Sequence, residues 1–474
     1  MAVTLQNPII PGMQGGGDSD RLSNLPEHII QHIFSFLETI DVVRASAVSR
    51  KWRYFWVSMP YLDFDIDAFR SKTEESLLIE TAIEKFKEFV NWVLLFQDNS
   101  IVIRKFSLCC LNILDDYAIH RWITVVAQRK VQELSLDIFS RVPFQLPTCQ
   151  SLITLRLGFD SLCILKLPTF AGFSRLKSLH LWMVIFIDSS MLGNFISSCP
   201  LLENLNIEQS FFCNFKVFEI CSTSLKNLIV HSGDEDDPNG VGDGLGNCEI
   251  KIACPRLVSL NFVTPSTWNF CFQDVNSLQK VFIYFYHDPK HATAEECRCV
   301  LSKILEGLRN VTALKLSMGF FMFLYQEIVI PKFFSTSFNN LKSLTLMVCM
   351  NLDKQAIINF LNLSPSLQAL TIYFGQCPWS EYLKIPDIAI SCLTYHLKMV
   401  RLHDFEGRAN ELELVRFLLK NGQVLQKLSI SWLESVKIRR KIIRRIVQLP
   451  RSSSNVSLEP NSKMYGIDFF SYEH

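Results

Sequence analysis

The chain lacks any run of 18 apolar residues, so no membrane-spanning helix is expected. It lacks net charge: 47 basic against 46 acidic side chains leave +1, which gives no global field for nucleic acid or an acidic membrane. It carries no Gly-x-Ser-x-Gly elbow, Walker loop, His-Glu-x-x-His pair or Gly-x-Gly-x-x-Gly turn after a strand, so no catalytic residue is assigned and the chain is not read as an enzyme. No basic residue precedes Arg21, and no signal peptide is expected. The 15 cysteines are odd in number and irregular in spacing, which excludes a disulfide framework. Cys109, Cys163 and Cys349 sit beside leucines and valines, as small buried hydrophobes do, and a reducing setting in the cytoplasm and/or nucleus is expected.

Metal chemistry is equally thin. His287, His291, Cys297 and Cys299 fall within thirteen residues, but Cys-x-Cys behind two histidines is not a zinc spacing. Asp234, Asp236 and Asp237 imitate a calcium loop, yet Pro238 breaks the alternation and no glutamate completes it. No metal and no cofactor are expected.

What the chain does have is apolar material: 49% hydrophobic residues and 37 phenylalanines, more than tryptophan and tyrosine together, in 474 residues. That length exceeds one core of usual size, so two or more units are expected. From about residue 100 one pattern returns: an apolar residue, another three later, a third two after that. It runs from Ile103-Phe106-Leu108 and Val131-Leu134-Leu136 through Leu152-Leu155-Leu157, Leu176-Leu179-Leu181 and Leu202-Leu205-Ile207. It continues at Leu225-Leu228-Val230, Leu257-Leu260-Phe262, Leu278-Val281-Ile283, Val311-Leu314-Leu316 and Leu341-Leu344-Leu346, and ends at Leu367-Leu370-Ile372, Leu397-Val400-Leu402 and Leu425-Leu428-Ile430. That makes thirteen occurrences with starts 21 to 33 residues apart. The last two positions of each triplet point the same way in a strand, and the first marks the turn into it. One such strand cannot hide its apolar face; stacked copies can. The pattern is that of a degenerate leucine-rich repeat. The wide intervals 225–257 and 278–311 are expected to hold loops, and His231 to Asn247, acidic and glycine-rich, a flexible one.

The segment LPEHIIQHIFSFLETIDVVRASAVSRKWR, Leu25 to Arg53, reads as three short helices. Ile29, Ile30, Ile33, Phe34 and Leu37 share one face, with Asn24 as cap and Pro26 in the first turn. Val42 and Val43 open the second after a break at Thr39–Asp41, and Val48, Trp52 and Phe55 mark the third. The series Leu25-Pro26, Ile29-Ile30, Ile33-Phe34-Ser35, Leu37, Asp41 to Ala45, Val48-Ser49 and Trp52-Arg53 closely resembles an F-box. CLTYHLKMVRLHDFEGRANELELVRFLLKNGQVLQKLSI, Cys392 to Ile430, is similar to the FBD segment of plant F-box proteins with leucine-rich repeats, as is the tail through Gln448 to Ser454.

The resemblance implies an α/β protein: a disordered tail at 1–19, a three-helix F-box at 20–65 and irregular leucine-rich repeats at 101–390. An FBD-type segment at 391–454 closes the solenoid through helix Glu411–Leu419, with Leu412, Val415 and Leu419 on one face, and a tail follows at 455–474. Phe86, Phe89, Val90, Val93 and Leu94 carry a helical period in 66–100, read as a stiff helical connection. It further implies the substrate-recognition subunit of a Skp-cullin-F-box ubiquitin ligase, with a Skp-type adaptor docked on Leu25, Pro26, Ile29, Ile30, Ile33, Phe34, Leu37, Val48 and Trp52, and through it a cullin. The protein to be ubiquitinated would meet the concave strand face. Counting along each repeat strand puts Arg156, His180, Trp182, Asn206, Phe282, Tyr284, Lys315, Tyr373, Arg401 and His403 there, with aromatics and arginines as anchors. The alternative is a repeat protein that binds or inhibits its partner outside any ligase. A narrower version has a small ligand complete the concave surface. The run Lys437 to Arg445 alternates with isoleucines and reads as an amphipathic helix with a solvated basic face, not an import or nucleic-acid signal.

Overall fold

Each apolar triplet does form a parallel strand. The structure, a computed structural model, describes residues 25–46, 52–73, 78–113, 115–140, 142–168, 172–233, 245, 248–264, 269–285, 294–317, 337–348, 354–375, 389–433 and 439–459. The chain divides into two units, 1–109 and 110–474.

The first unit begins with α1 (Glu27–Phe34) and α2 (Thr39–Ser46), followed by a 3-10 turn at Phe55–Ser58. The second helix thus includes Thr39–Asp41, where a break was expected. Asn24, Val48 and the rest of 47–51 lie outside the described residues. β1 (Tyr61–Asp65), α3 (Ile66–Thr73) and α4 (Ile79–Phe96) follow, and β2 (Lys105–Ile113) pairs with β1 in parallel, Leu62 on Phe106 and Phe64 on Leu108. Residues 66–100 are not a free-standing connection. Phe86, Val90 and Val93 of α4 are fully buried, and Phe69 meets Phe86 at 5.5 Å and Phe89 at 5.4 Å. The helix is part of the core that holds the unit together, because a unit this short cannot close on its first two helices alone. Met59, Leu62 and Phe64 repeat the leucine-rich spacing one copy earlier than the sequence scan placed it, and all three are buried.

The second unit contains α5 (Asp116–Gln128), β3 (Glu133–Phe139), β4 (Phe144–Gln145), β5 (Thr154–Lys166), β6 (Ser178–Phe186), α6 (Ser189–Ser197) and β7 (Asn204–Phe212). Next come β8 (Val217–Cys221), β9 (Asn227–Ser232), β10 (Glu249–Ala253), β11 (Ser259–Thr264), β12 (Asn269–Gln273), β13 (Lys280–Phe285) and α7 (Ala294–Gly307). After them stand β14 (Ala313–Leu316), β15 (Ser343–Val348), α8 (Lys354–Leu363), β16 (Ala369–Phe374), α9 (Ser391–Tyr395) and β17 (Met399–Phe405). α10 (Ala409–Asn421), β18 (Lys427–Trp432), α11 (Arg439–Val447) and β19 (Ser457–Glu459) complete it.

The repeat strands pair in parallel in the order β3-β5-β6-β7-β9-β11-β13-β14-β15-β16-β17-β18-β19. All positions of the triplets are buried, none above 3% exposed. One main-chain device fixes the stacking. From the Val131 triplet to the Leu397 triplet, the carbonyl after the first residue accepts two amides from the next repeat: Gln132 takes Ile153 and Thr154 at 2.7 and 3.1 Å, and Ile153 takes Lys177 and Ser178 at 2.8 and 3.1 Å. The series continues to Lys398, which takes Gln426 and Lys427 at 2.8 and 3.0 Å. In the first unit Pro60 does the same for Arg104 and Lys105.

Behind β7, β9, β11 and β13 a second parallel sheet, β8-β10-β12, takes the place that helices occupy elsewhere. One of its strands, β10, lies in the interval 225–257, and α7 lies in 278–311, where loops were expected. His231 belongs to β9 and is buried, while 234–244 and 246–247 lie outside the described residues. Phenylalanines from both sheets meet in the gap between them: Phe262 meets Phe270 at 5.2 Å and Phe218 at 6.3 Å, and Phe218 meets Phe212 at 5.2 Å.

At the C-terminal end α10 buries more of its circumference than one stripe: Leu414, Val415, Phe417, Leu418 and Leu419 are covered, and Leu412 only partly. Glu411 is buried and accepts the amides of Glu406, Gly407 and Arg408 at 3.0, 2.6 and 3.1 Å, which closes the helix start. Burial nevertheless pushes its carboxyl up to about 7. Ile442 and Ile446 of α11 are buried with arginines outward, as the alternation required. Within the expected tail, β19 adds a further strand on β18 and covers its edge.

Phe262→Ala leaves a void between the two sheets and should cost about 3–5 kcal/mol. The urea unfolding midpoint of the full chain should fall clearly, and an unchanged midpoint would show that the gap is not packed as described.

Candidate protein-binding surfaces

In the first unit α1 has two apolar faces with opposite fates. Ile30 and Phe34 point inward; Phe34 stands edge-on to Trp52 at 5.7 Å and to Phe55 at 5.5 Å. These two residues, expected from sequence on the docking face, are core residues of the unit. Pro26, Ile29, Ile33 and Leu37 are exposed, and Leu25 and Trp52 are half-buried. Phe36, at 76% exposure, extends the outward stripe and was not foreseen, because it lies just past the end of the helix, outside the period that revealed the others. Exposed apolar side chains of this size and number in one stripe make it a candidate protein-contact surface. A second exposed group, Trp92, Leu95 and Phe96, ends α4; Trp92 stacks on Trp56 at 4.6 Å.

In the second unit the residues between triplet positions face away from the core, and the strand register sorts them into two rows. The first contains Arg156, His180, Asn206, Ile229, Asn261, Phe282, Lys315, Thr345, Thr371 and Arg401, each beside the next. The second contains Trp182 beside Glu208, His231 beside Val263 and Tyr284, and Met347 beside Tyr373 and His403.

The rows divide into two chemistries. Over β11 to β17 the face is apolar: Val263, Phe282, Met347 and Tyr373 form a buried cluster against which Tyr284 packs. The Lys315 ammonium lies 4.4 Å above the Phe282 ring, and burial pulls its pKa below the usual lysine value. His403 stacks on Tyr373 at 4.5 Å, and burial, then the charge of Arg401, lowers its pKa. Phe282 and Tyr373, predicted as open anchors, are thus buried platform residues: alternation tells which way a side chain points but not what closes over it. Arg401 is exposed; Tyr284, Lys315 and His403 are half-buried.

Over β5 to β7 the face is polar and open. Arg156 and Trp182 are exposed, His180 and Asn206 half-buried. Asn206 Nδ2 donates to Glu208 Oε1 at 2.6 Å, and His180 Nε2 stands 3.5 Å from that oxygen. The His180 imidazole first, with the Asn206 amide adding to it, pulls the Glu208 carboxyl down to about 2 against the effect of burial. Trp182 Nε1 donates to Gln209 Oε1 at 2.6 Å. Glu208 and Gln209 escaped the sequence reading, which looked for aromatics and cations as anchors.

Among the described residues no group of three or more histidine, cysteine or carboxylate side chains is placed to hold a metal, and no helix is long and apolar enough to cross a membrane. His287 and His291 lie outside them.

Comparison with known proteins adds sequence-wide likeness. The F-box domain model matches residues 22–63, the model described as FBD-associated F-box protein At5g56370, LRR repeats, matches 119–238, and the FBD model matches 385–430. In Arabidopsis thaliana the putative F-box/FBD/LRR-repeat protein At5g22670 is 28% identical over 439 residues, 88% of this chain and 92% of that one. The F-box/FBD/LRR-repeat protein At1g78750 is 28% identical over 469 residues, 93% of this chain and 96% of that one. The FBD-associated F-box protein At5g22730 is 27% identical over 457 residues, 92% and 93% of the two chains.

The Glu208 carboxyl sets a pH dependence. Its folded pKa of about 2 lies below the ordinary 4.5, so its stabilising contribution is complete above 4.5 and is lost as pH falls through 2. The difference in urea midpoint between the parent and Glu208→Gln should therefore shrink from neutral pH to about pH 3. A difference independent of pH would contradict the assignment.

Proposed function

Since this chain belongs to the plant F-box/FBD/LRR-repeat family, we propose that it is the substrate-recognition subunit of a Skp-cullin-F-box ubiquitin ligase. The α1 stripe docks a Skp-type adaptor, and the strand face of the repeats holds the protein to be ubiquitinated. The observation that carries this reading is the helix with two apolar faces: Ile30 and Phe34 are covered by their own unit, whereas Ile29, Ile33, Phe36 and Leu37 remain open. A helix that keeps a second greasy face in water does so at a cost, and the cost is recovered when another polypeptide covers it.

The adaptor role requires no bond chemistry from this chain. A captured protein held near a ubiquitin-charged enzyme gains effective concentration, and the transfer is performed elsewhere in the complex. Capture then depends on the two chemistries of the strand face, an aromatic platform with Lys315 and Arg401 at one end and a polar patch around Glu208 at the other. In this reading the chain works in the cytoplasm or nucleus, where cullin ligases act.

Ile33→Ala with Phe36→Ala removes two exposed side chains whose burial is worth about 1.5–3 kcal/mol each. Adaptor co-purification should drop by about a hundredfold or more while the circular dichroism spectrum is unchanged, since neither residue is in the core. Undiminished co-purification would refute docking through this stripe. Trp182→Ala with Tyr284→Ala and Arg401→Ala should release captured proteins and leave the adaptor bound; retention of both would refute capture through the strand face.

A further inference from the structure

Trp182 and Glu208 stand directly opposite each other on neighbouring strands, in the outermost position of the strand face. The indole is 45% exposed, and its Nε1–H bond to Gln209 fixes which way the ring is turned. No aromatic ring or cation of the described residues lies against it. The carboxylate of Glu208 is tethered at one oxygen only. Oε1 holds the Asn206 amide and faces His180, while Oε2 accepts no hydrogen bond among the described residues. A fixed aromatic wall and an anchored anion with an open oxygen thus share one notch.

The backbone is shaped around this notch. Met183, next after Trp182, has φ +58°, and Gln209, next after Glu208, has φ +47°. Both are left-handed conformations that side-chain-bearing residues avoid, and such positions concentrate where a surface serves binding. Ser210 closes the bend: its hydroxyl donates to the Glu208 carbonyl at 2.9 Å and accepts the Val184 amide at 3.2 Å, tying the two strands together beside the notch. Asp404, next after His403, repeats the conformation with φ +57°, so it belongs to this position of the repeat.

We propose that Trp182 and Glu208 form a seat for a basic side chain, a lysine ammonium or arginine guanidinium, of the protein that this chain captures. The seat rests on the substrate-capture reading above and gives it a chemical class. A planar or compact cation lies on the indole face and donates to the open Oε2, while Asn206 keeps the carboxylate from turning away. Beside the notch stand Arg156 and His180 in the first row, and His231 on the strand beyond, where burial lowers the pKa and favours the neutral imidazole.

The test uses the full chain co-purified with its adaptor and a degenerate peptide library in which each position is fixed in turn as each residue type. Peptides retained by the parent protein should show arginine or lysine enriched roughly tenfold at one position. Glu208→Gln should erase that enrichment and leave the preferences at other positions in place; Glu208→Lys should replace it with aspartate or glutamate. Absence of basic enrichment with the parent, or enrichment that survives Glu208→Gln, would overturn the seat. Enrichment lost on Arg156→Ala but not on Glu208→Gln would also overturn it. Adaptor co-purification on the same samples separates the two readings. Basic selection without adaptor keeps the seat and removes the ligase role, whereas adaptor binding without basic selection removes the seat alone.

Discussion

One carbonyl per repeat, shared by two amides of the next, is the constraint on which the second unit depends. It fixes the offset between successive strands before any side chain has packed, so the triplets arrive in register and their apolar positions stack into one core. A one-residue slip would turn every triplet outward and leave the buried carbonyls without partners. Hydrophobic burial supplies the driving force, but the paired amides decide where each strand stops sliding. The two rows of outward side chains, and hence both chemistries of the strand face, inherit their spacing from this lock.

Much of this was readable in the letters. An apolar triplet at fixed spacing has one physical solution when repeated, and every predicted triplet is buried. The earlier copy at Met59-Leu62-Phe64 follows the same rule but was hidden inside a segment that already had an explanation as helices. The second sheet escaped for a different reason. Val217–Cys221, Glu249–Ala253 and Asn269–Gln273 are five-residue runs without a common motif, and only their shared place behind the main sheet makes them strands. Their pairing is decided by tertiary context, which no local period encodes.

On the candidate surfaces, residue spacing revealed direction without occupancy. Helical period placed Ile30 and Phe34 with Ile29 and Ile33 on one broad apolar side, and only packing separates the half that faces Phe55 from the half left open. Strand alternation likewise sent Phe282 and Tyr373 to the outward rows correctly, yet both are covered there. Glu208 was passed over because a carboxylate between strands looks like ordinary solvation. Its meaning comes from Asn206, His180 and Trp182, which lie on its own and the neighbouring strand and cannot be assembled from spacing alone.

The shared carbonyl has a bearing on descent. It belongs to the main chain, so the residue that carries it can be of any kind: Gln132, Ile153, Lys177, Glu203, Val258 and Thr312 all perform the task. Mutation at those sites leaves the lock intact, and the outward rows are under no obligation to it either. Relatives at 26–28% identity over most of their length are compatible with such a lock, because it asks nothing of the side chains at the positions that carry it.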